Sequence, residues 1–174
     1  MKFMNKPMRV FATIVELRAN WTGDSDLLER RLHTYYLACC RLIWRLLPQD
    51  ASRRGVELGE QYLAGRISAA ELDHAEYEVE GAAFNIDYNC EPNNIERWAR
   101  EIEALSRSDL ERMLNGLPAT ADINGRDLLR RAAYFADYAV GYRDIRPNDP
   151  QECDEIFLSP ELFAAMFEDL TDLT

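Results

Sequence analysis

The chain has 174 residues, 47% of them hydrophobic and 10% aromatic, enough to bury a sizeable core without disulfide or metal staples. Its strongly apolar run, residues 10–15, is far too short to cross a bilayer, so no membrane association is expected. The net charge of −11 is uneven: residues 1–58 hold 10 Lys and Arg against 6 Asp and Glu, residues 59–174 hold 10 against 25, and nothing basic follows Pro147, a balance that repels nucleic acid.

Residues 8–19 are ambiguous. Val10, Thr13, Ile14 and Val15 favour a short strand, whereas Val10, Ile14 and Leu17 fit a helical stripe, and helix is the preferred reading. Residues 22–25 supply turn and cap residues for a long helix over 26–47, stopped by Pro48. A helix over 51–64 follows, with Gly65 placed as its left-handed C-terminal cap. Ser68 and Glu71 have the reciprocal capping-box spacing, after which Leu72, Ala75, Val79, Ala82, Ala83 and Ile86 recur at helical intervals. Beyond a break at 89–94, Ile95, Trp98, Ala99, Ile102 and Leu105 mark another amphipathic helix. Ser108 and Glu111 repeat the capping spacing and predict a short helix ending near Gly116. A loop at 118–124 leads, with Asn124 as cap, into a helix over 126–142. A turn-rich connection over 141–150 precedes Ser159-Pro160, which opens a last helix with Leu162, Phe163, Met166, Phe167 and Leu170 on one face. No repeat, low-complexity tract or long linker divides the chain. The expected architecture is all-α, one compact bundle of about seven helices over residues 1–174 with an acidic C-terminal segment at 147–174.

The stretch 52–85, through Arg53-Arg54-Gly55-Val56-Glu57, Glu60, Tyr62, Gly65, Ser68 and Glu71-Leu72, resembles a two-helix segment that recurs in uncharacterised bacterial proteins. It covers about a fifth of the chain, implies a bacterial origin and brings no activity with it.

On a helical wheel the 26–47 segment places Leu28, Leu32, Tyr35, Cys39, Leu42, Ile43 and Leu46 on one side, and His33, Leu37, Cys40 and Trp44 widen the apolar arc past half the circumference. Arg30, Arg41 and Arg45 remain as a strip, expected to be solvated or else to pair with acids elsewhere. In the 126–142 helix, Leu128, Ala132, Phe135, Ala136 and Ala139 form the core stripe while Tyr134 and Tyr138 project nearly opposite, bordered by Tyr142. Those rings are expected either to lie under a second layer of the same chain or to anchor a partner.

Tests for chemistry mostly fail. Glu71 and His74 give one E-x-x-H without the second copy that a di-iron bundle needs, and His74 with Glu76 gives half of a zinc-deaminase signature whose cysteine half is missing. Cys39 and Cys40 are neighbours, far in sequence from Cys90 and Cys153, so reduced thiols are expected rather than disulfides or a zinc site. No nucleophile elbow or phosphate loop occurs, and no metal or cofactor is expected. Lys2, Lys6 and Arg9 imitate the start of a signal peptide, but Glu16 and Arg18 interrupt the apolar run, so a cytoplasmic protein is expected. The preferred functional reading is an acidic protein-interaction module, of inhibitor or immunity type, meeting a basic partner through Tyr134, Tyr138, Tyr142, Glu152, Asp154 and Glu155. A homo-oligomeric structural component is one alternative, and an enzyme or metal protein with an unrecognised site is another.

Overall fold

The computed structural model describes residues 9–142 and 154–171. Within them the chain forms eight α-helices and no strand: α1 (Val10–Asn20), α2 (Ser25–Leu42), α3 (Asp50–Leu63), α4 (Ala69–Asp87), α5 (Pro92–Glu103), α6 (Arg107–Met113), α7 (Gly125–Val140) and α8 (Pro160–Thr171). The count exceeds the expected seven because the ambiguous N-terminal segment is helical: Val10 and Ile14, one turn apart, are both fully buried. Single 3₁₀ turns lie at Trp44–Leu46 and Glu155–Phe157.

α7 is the hub, touching α2, α3, α4 and α5. Its sequence explains why. Ala132, Ala133, Ala136 and Ala139 are all buried and small enough for neighbouring helices to come close on several sides, and Leu129 and Val140 are fully buried as well. At its start Gly125 makes the closest approach: a Cβ there would lie 2.0 Å from the backbone oxygen of Ala99 in α5. In α3, Gly55 does the same against Val79 of α4, whose Cγ2 sits 2.2 Å from the position a Cβ would take.

Helix ends follow their local chemistry. The Ser68 hydroxyl accepts from the Glu71 N–H while the Glu71 carboxylate accepts from the Ser68 N–H at 2.8 Å, the reciprocal box the spacing predicts. Asn124 accepts from the Asp127 N–H at 2.9 Å, Ser159 accepts from the Leu162 N–H at 3.1 Å, and Gly65 closes α3 with φ +71°. Two boundaries depart from expectation. α6 is capped by Ser106, not Ser108: the Ser106 hydroxyl accepts from the Asp109 N–H at 3.1 Å, a register that turns Leu110 into the core. And α2 stops at Leu42 rather than running to Leu47.

The early stop has a cause. Pro48 disfavours helical geometry at Leu47, which takes φ −113° and ψ 67°, and the chain tightens into the 3₁₀ turn that buries Leu46 and Leu47. Leu42, expected in the core stripe, is 45% exposed, while Tyr36, not assigned to the stripe, is fully buried. Arg53 of α3 secures the turn, donating to the Leu47 oxygen at 2.5 Å and to the Trp44 oxygen, which also accepts the Leu47 N–H, at 3.2 Å. The arginine strip of α2 and the turn after it is engaged within the chain: Arg30 donates to the Leu63 carbonyl, Arg41 holds Glu60 through two bonds of 2.9 and 2.7 Å, and Arg45 meets Asp109 at 3.3 Å.

Candidate interaction surface

Tyr138 and Tyr142 lie inside the bundle, 6% and 4% exposed. Tyr36 of α2 stands between them, its ring centroid 5.1 Å from each, and His33 lies 5.3 Å from the Tyr142 ring. The Tyr142 hydroxyl donates to Glu29 at 2.5 Å, and Arg18 clamps the same carboxylate through bonds of 2.9 and 2.8 Å while also contacting the phenol oxygen. Burial, then the bond to Glu29, pushes the Tyr142 phenol far above its usual range. Burial works against the Arg18 charge, yet the bond to Glu29 holds its guanidinium above the ordinary value. This network joins α1, α2 and α7. The second intramolecular layer therefore accounts for two of the three tyrosines.

Tyr134 is different. It lies at the edge of α7, half-buried, with its hydroxyl donating to Asp87 at the end of α4. Arg130 donates to the other oxygen of Asp87 at 2.7 Å and lies over the Tyr134 ring, 5.3 Å from its centroid. Burial and then the Asp87 bond push the Tyr134 phenol up to about 12, and the Tyr134 and Arg130 bonds hold the Asp87 carboxyl below its usual range. Asp154 receives two bonds from Arg131, at 2.6 and 3.0 Å, and Glu155 accepts the Phe11 N–H at 3.3 Å, which fastens the start of α1. Glu152, like Cys153 and the connection from 143 to 153, falls outside the described residues.

Four of the expected site residues nonetheless converge. Tyr134, Tyr138, Asp154 and Glu155 line one groove of about 780 Å³ between α4 and α7, together with Glu76, Glu80, Phe84, Arg130, Arg131, Phe135 and Asp137. The lining holds five carboxylates against two arginines; Arg131 pairs with Asp154 inside it and Arg130 with Asp87 beyond it. By formal charge the groove is net negative.

Along its α4 rim stand side chains that the sequence reading passed over. Tyr77 is 74% exposed, Phe84 41% and Tyr88 76%. Phe84 meets Tyr88 edge-on at 6.3 Å and Tyr134 edge-on at 6.2 Å, so the rim and groove share one aromatic cluster. The signal was present: Tyr77, Phe84 and Tyr88 stand at i, i+7 and i+11, opposite the buried stripe of Leu72, Ala75, Val79 and Ile86.

The metal half-motifs are put to other uses. Glu71 closes the cap of α4, and the Ser68 backbone and hydroxyl hold its carboxyl below the usual range. His74 is exposed, 3.7 Å from Glu78 one turn along. Glu76 occupies the space over Gly141, where a Cβ would meet its carboxylate oxygen at 2.1 Å. Among the described residues no group of three or more His, Cys, Asp or Glu side chains could hold a metal ion, and no helix is long and apolar enough to cross a membrane. Cys39, Cys40 and Cys90 are in no disulfide, the first two buried and the third exposed, and burial pushes the Cys39 thiol up to about 11, which keeps it protonated and a poor nucleophile. Comparison with protein-family models, curated proteins and solved structures finds no match to this chain.

Proposed function

We propose that this protein is an interaction module that meets a basic protein partner on the face between α4 and α7, as an inhibitor of immunity type would. One observation carries the reading: the groove is lined by five carboxylates against two arginines, and exposed aromatic rings stand on its rim. Negative potential speeds encounter with a cationic partner, and exposed tyrosines and phenylalanines supply the apolar anchors on which interface affinity is concentrated. An NMR titration with poly-arginine, and with poly-glutamate of matched length as control, tests it. The expected result is amide shifts confined to α4 and α7 for the arginine polymer, weakening as salt rises. Shifts spread evenly over the acidic surface, or insensitive to salt, would overturn the reading.

Self-association is the second reading, favoured by the exposure of Tyr77 and Tyr88. It ranks lower because a two-fold contact would bring the same carboxylates face to face. Sedimentation at high concentration separates the two, with a monomer expected.

A further inference from the structure

Gly81 lies in the interior of α4, where glycine costs about 1 kcal/mol relative to alanine. Elsewhere in the helices the missing side chain is put to use. A Cβ at Gly55 would strike Val79, one at Gly59 would meet Leu37 at 2.9 Å, and one at Gly125 would strike the α5 backbone. Around the position a Cβ would take at Gly81, no described residue beyond its chain neighbours and its own helix backbone comes within 4 Å, and its φ lies outside the left-handed region. Among the described residues, neither packing nor backbone geometry requires a glycine there.

Its neighbours on the same face are the exposed rings. Tyr77 stands one turn before it, Phe84 and Tyr88 one and two turns after, so Gly81 is a notch in an otherwise aromatic ridge. From Tyr77 to Tyr88 the ridge runs about 16 Å, the length of about three helical turns. A notch that exposes helix backbone between large side chains fits another helix crossing at close range, the rings packing on both sides of the crossing point. Charge specifies the visitor. Glu76 and Glu80 follow the edge of the ridge nearest α7, and α4 carries no Lys or Arg, so a crossing helix with arginine or lysine on its flank is attracted, whereas a second copy would bring its own carboxylates against these.

We infer that α4 is a docking seat for a basic amphipathic helix of a partner protein, with Gly81 as the point of closest approach. This rests on the reading proposed above and specifies its occupant.

The test uses the full chain and a designed helical peptide with alanine and leucine on one face and arginines on its flanks, with an arginine-to-glutamate counterpart as control. Gly81→Ala should raise the melting temperature of the free protein, since alanine is the better helix former and none of the described residues opposes it. The same substitution should weaken peptide binding about tenfold, Gly81→Leu more, and Tyr88→Ala comparably. Opposite signs for stability and affinity are what a solvated surface position would not produce. If the arginine peptide binds with salt dependence but Gly81→Ala and Gly81→Leu leave its affinity unchanged, the helix seat falls and the acidic-surface reading stands. If neither peptide binds, both fall. A concentration-dependent dimer abolished by Gly81→Ala would assign the seat to a second copy and overturn the basic partner.

Discussion

Gly125 and Asp87 show how single residues set the tolerances of this bundle. A methyl group at Gly125 would have to displace the Ala99 carbonyl, which is backbone and cannot rotate away as a side chain can. Gly125→Ala should therefore destabilise the protein by about 1–3 kcal/mol, in contrast to the gain expected at Gly81, and urea unfolding measures both. Asp87 contributes on the acid side, as Glu71 and Asp109 do. Its carboxyl titrates below the usual range because Tyr134 donates to it, with Arg130 adding to the effect. The native state thus binds this proton more weakly than the unfolded chain, and the stability it contributes is present above the ordinary carboxylate value of about 4 and lost as pH falls through the lowered one. Tyr134 has the reverse sign: it keeps its proton up to about 12, so its contribution is present below the unfolded phenol value of about 10 and lost as pH rises through the folded one. Asp87→Asn should flatten the loss of stability in acid, which melting curves across that pH range check.

At the level of elements, the boundaries carry the clearest chemical signals. Ser68→Ala removes the hydroxyl that receives the Glu71 N–H and should cost about 1 kcal/mol, read from chemical denaturation, with Ser68→Asp retaining most of the stability. Such caps depend on residues three apart, which is why Ser68, Asn124 and Ser159 were legible in the sequence along with Gly65. Near α6 two serines, Ser106 and Ser108, each precede an acid by three positions, and only the burial of Leu110 chooses between them. The end of α2 was illegible for a related reason: whether a helix reaches its proline depends on what Leu46 and Leu47 can bury against and on Arg53 arriving from α3 to bond the Leu47 and Trp44 carbonyls. Tertiary context likewise decided the tyrosines. A wheel separates Tyr134 and Tyr138 from the core stripe of α7, but it cannot show that Tyr36 and His33 cover Tyr138 and Tyr142 while Tyr134 is left at the rim. The outward ridge of α4 was the converse case, written in the spacing of Tyr77, Gly81, Phe84 and Tyr88 yet overlooked beside a complete core stripe on the opposite face.

Over the whole molecule, charge acts on folding and on binding in opposite senses. The arginine-bearing first third of the chain and its acidic remainder meet in the fold: Arg31 pairs with Asp169 at 2.8 Å, Arg41 with Glu60 at 2.7 Å and Arg45 with Asp109 at 3.3 Å. These pairs are largely exposed, and each is worth about 0.2–1 kcal/mol at most. The net charge of −11 remains, and its self-repulsion is spread over the whole surface rather than confined to pairs. Salt screens both, but the pairs lie within contact distance and keep much of their attraction, whereas repulsion between distant carboxylates vanishes beyond a Debye length of about 10 Å at 0.1 M salt. The longer-ranged effect therefore dominates the response. Raising sodium chloride from about 0.01 to 0.3 M at neutral pH should increase the melting temperature by a few degrees, while the same change weakens capture of an arginine-rich helix at the α4 face. Calorimetry and a binding isotherm on the same samples measure the two slopes. A melting temperature that falls with salt would mean that the ion pairs outweigh the excess acid, and the negative potential invoked for partner recognition would then be too weak to steer one.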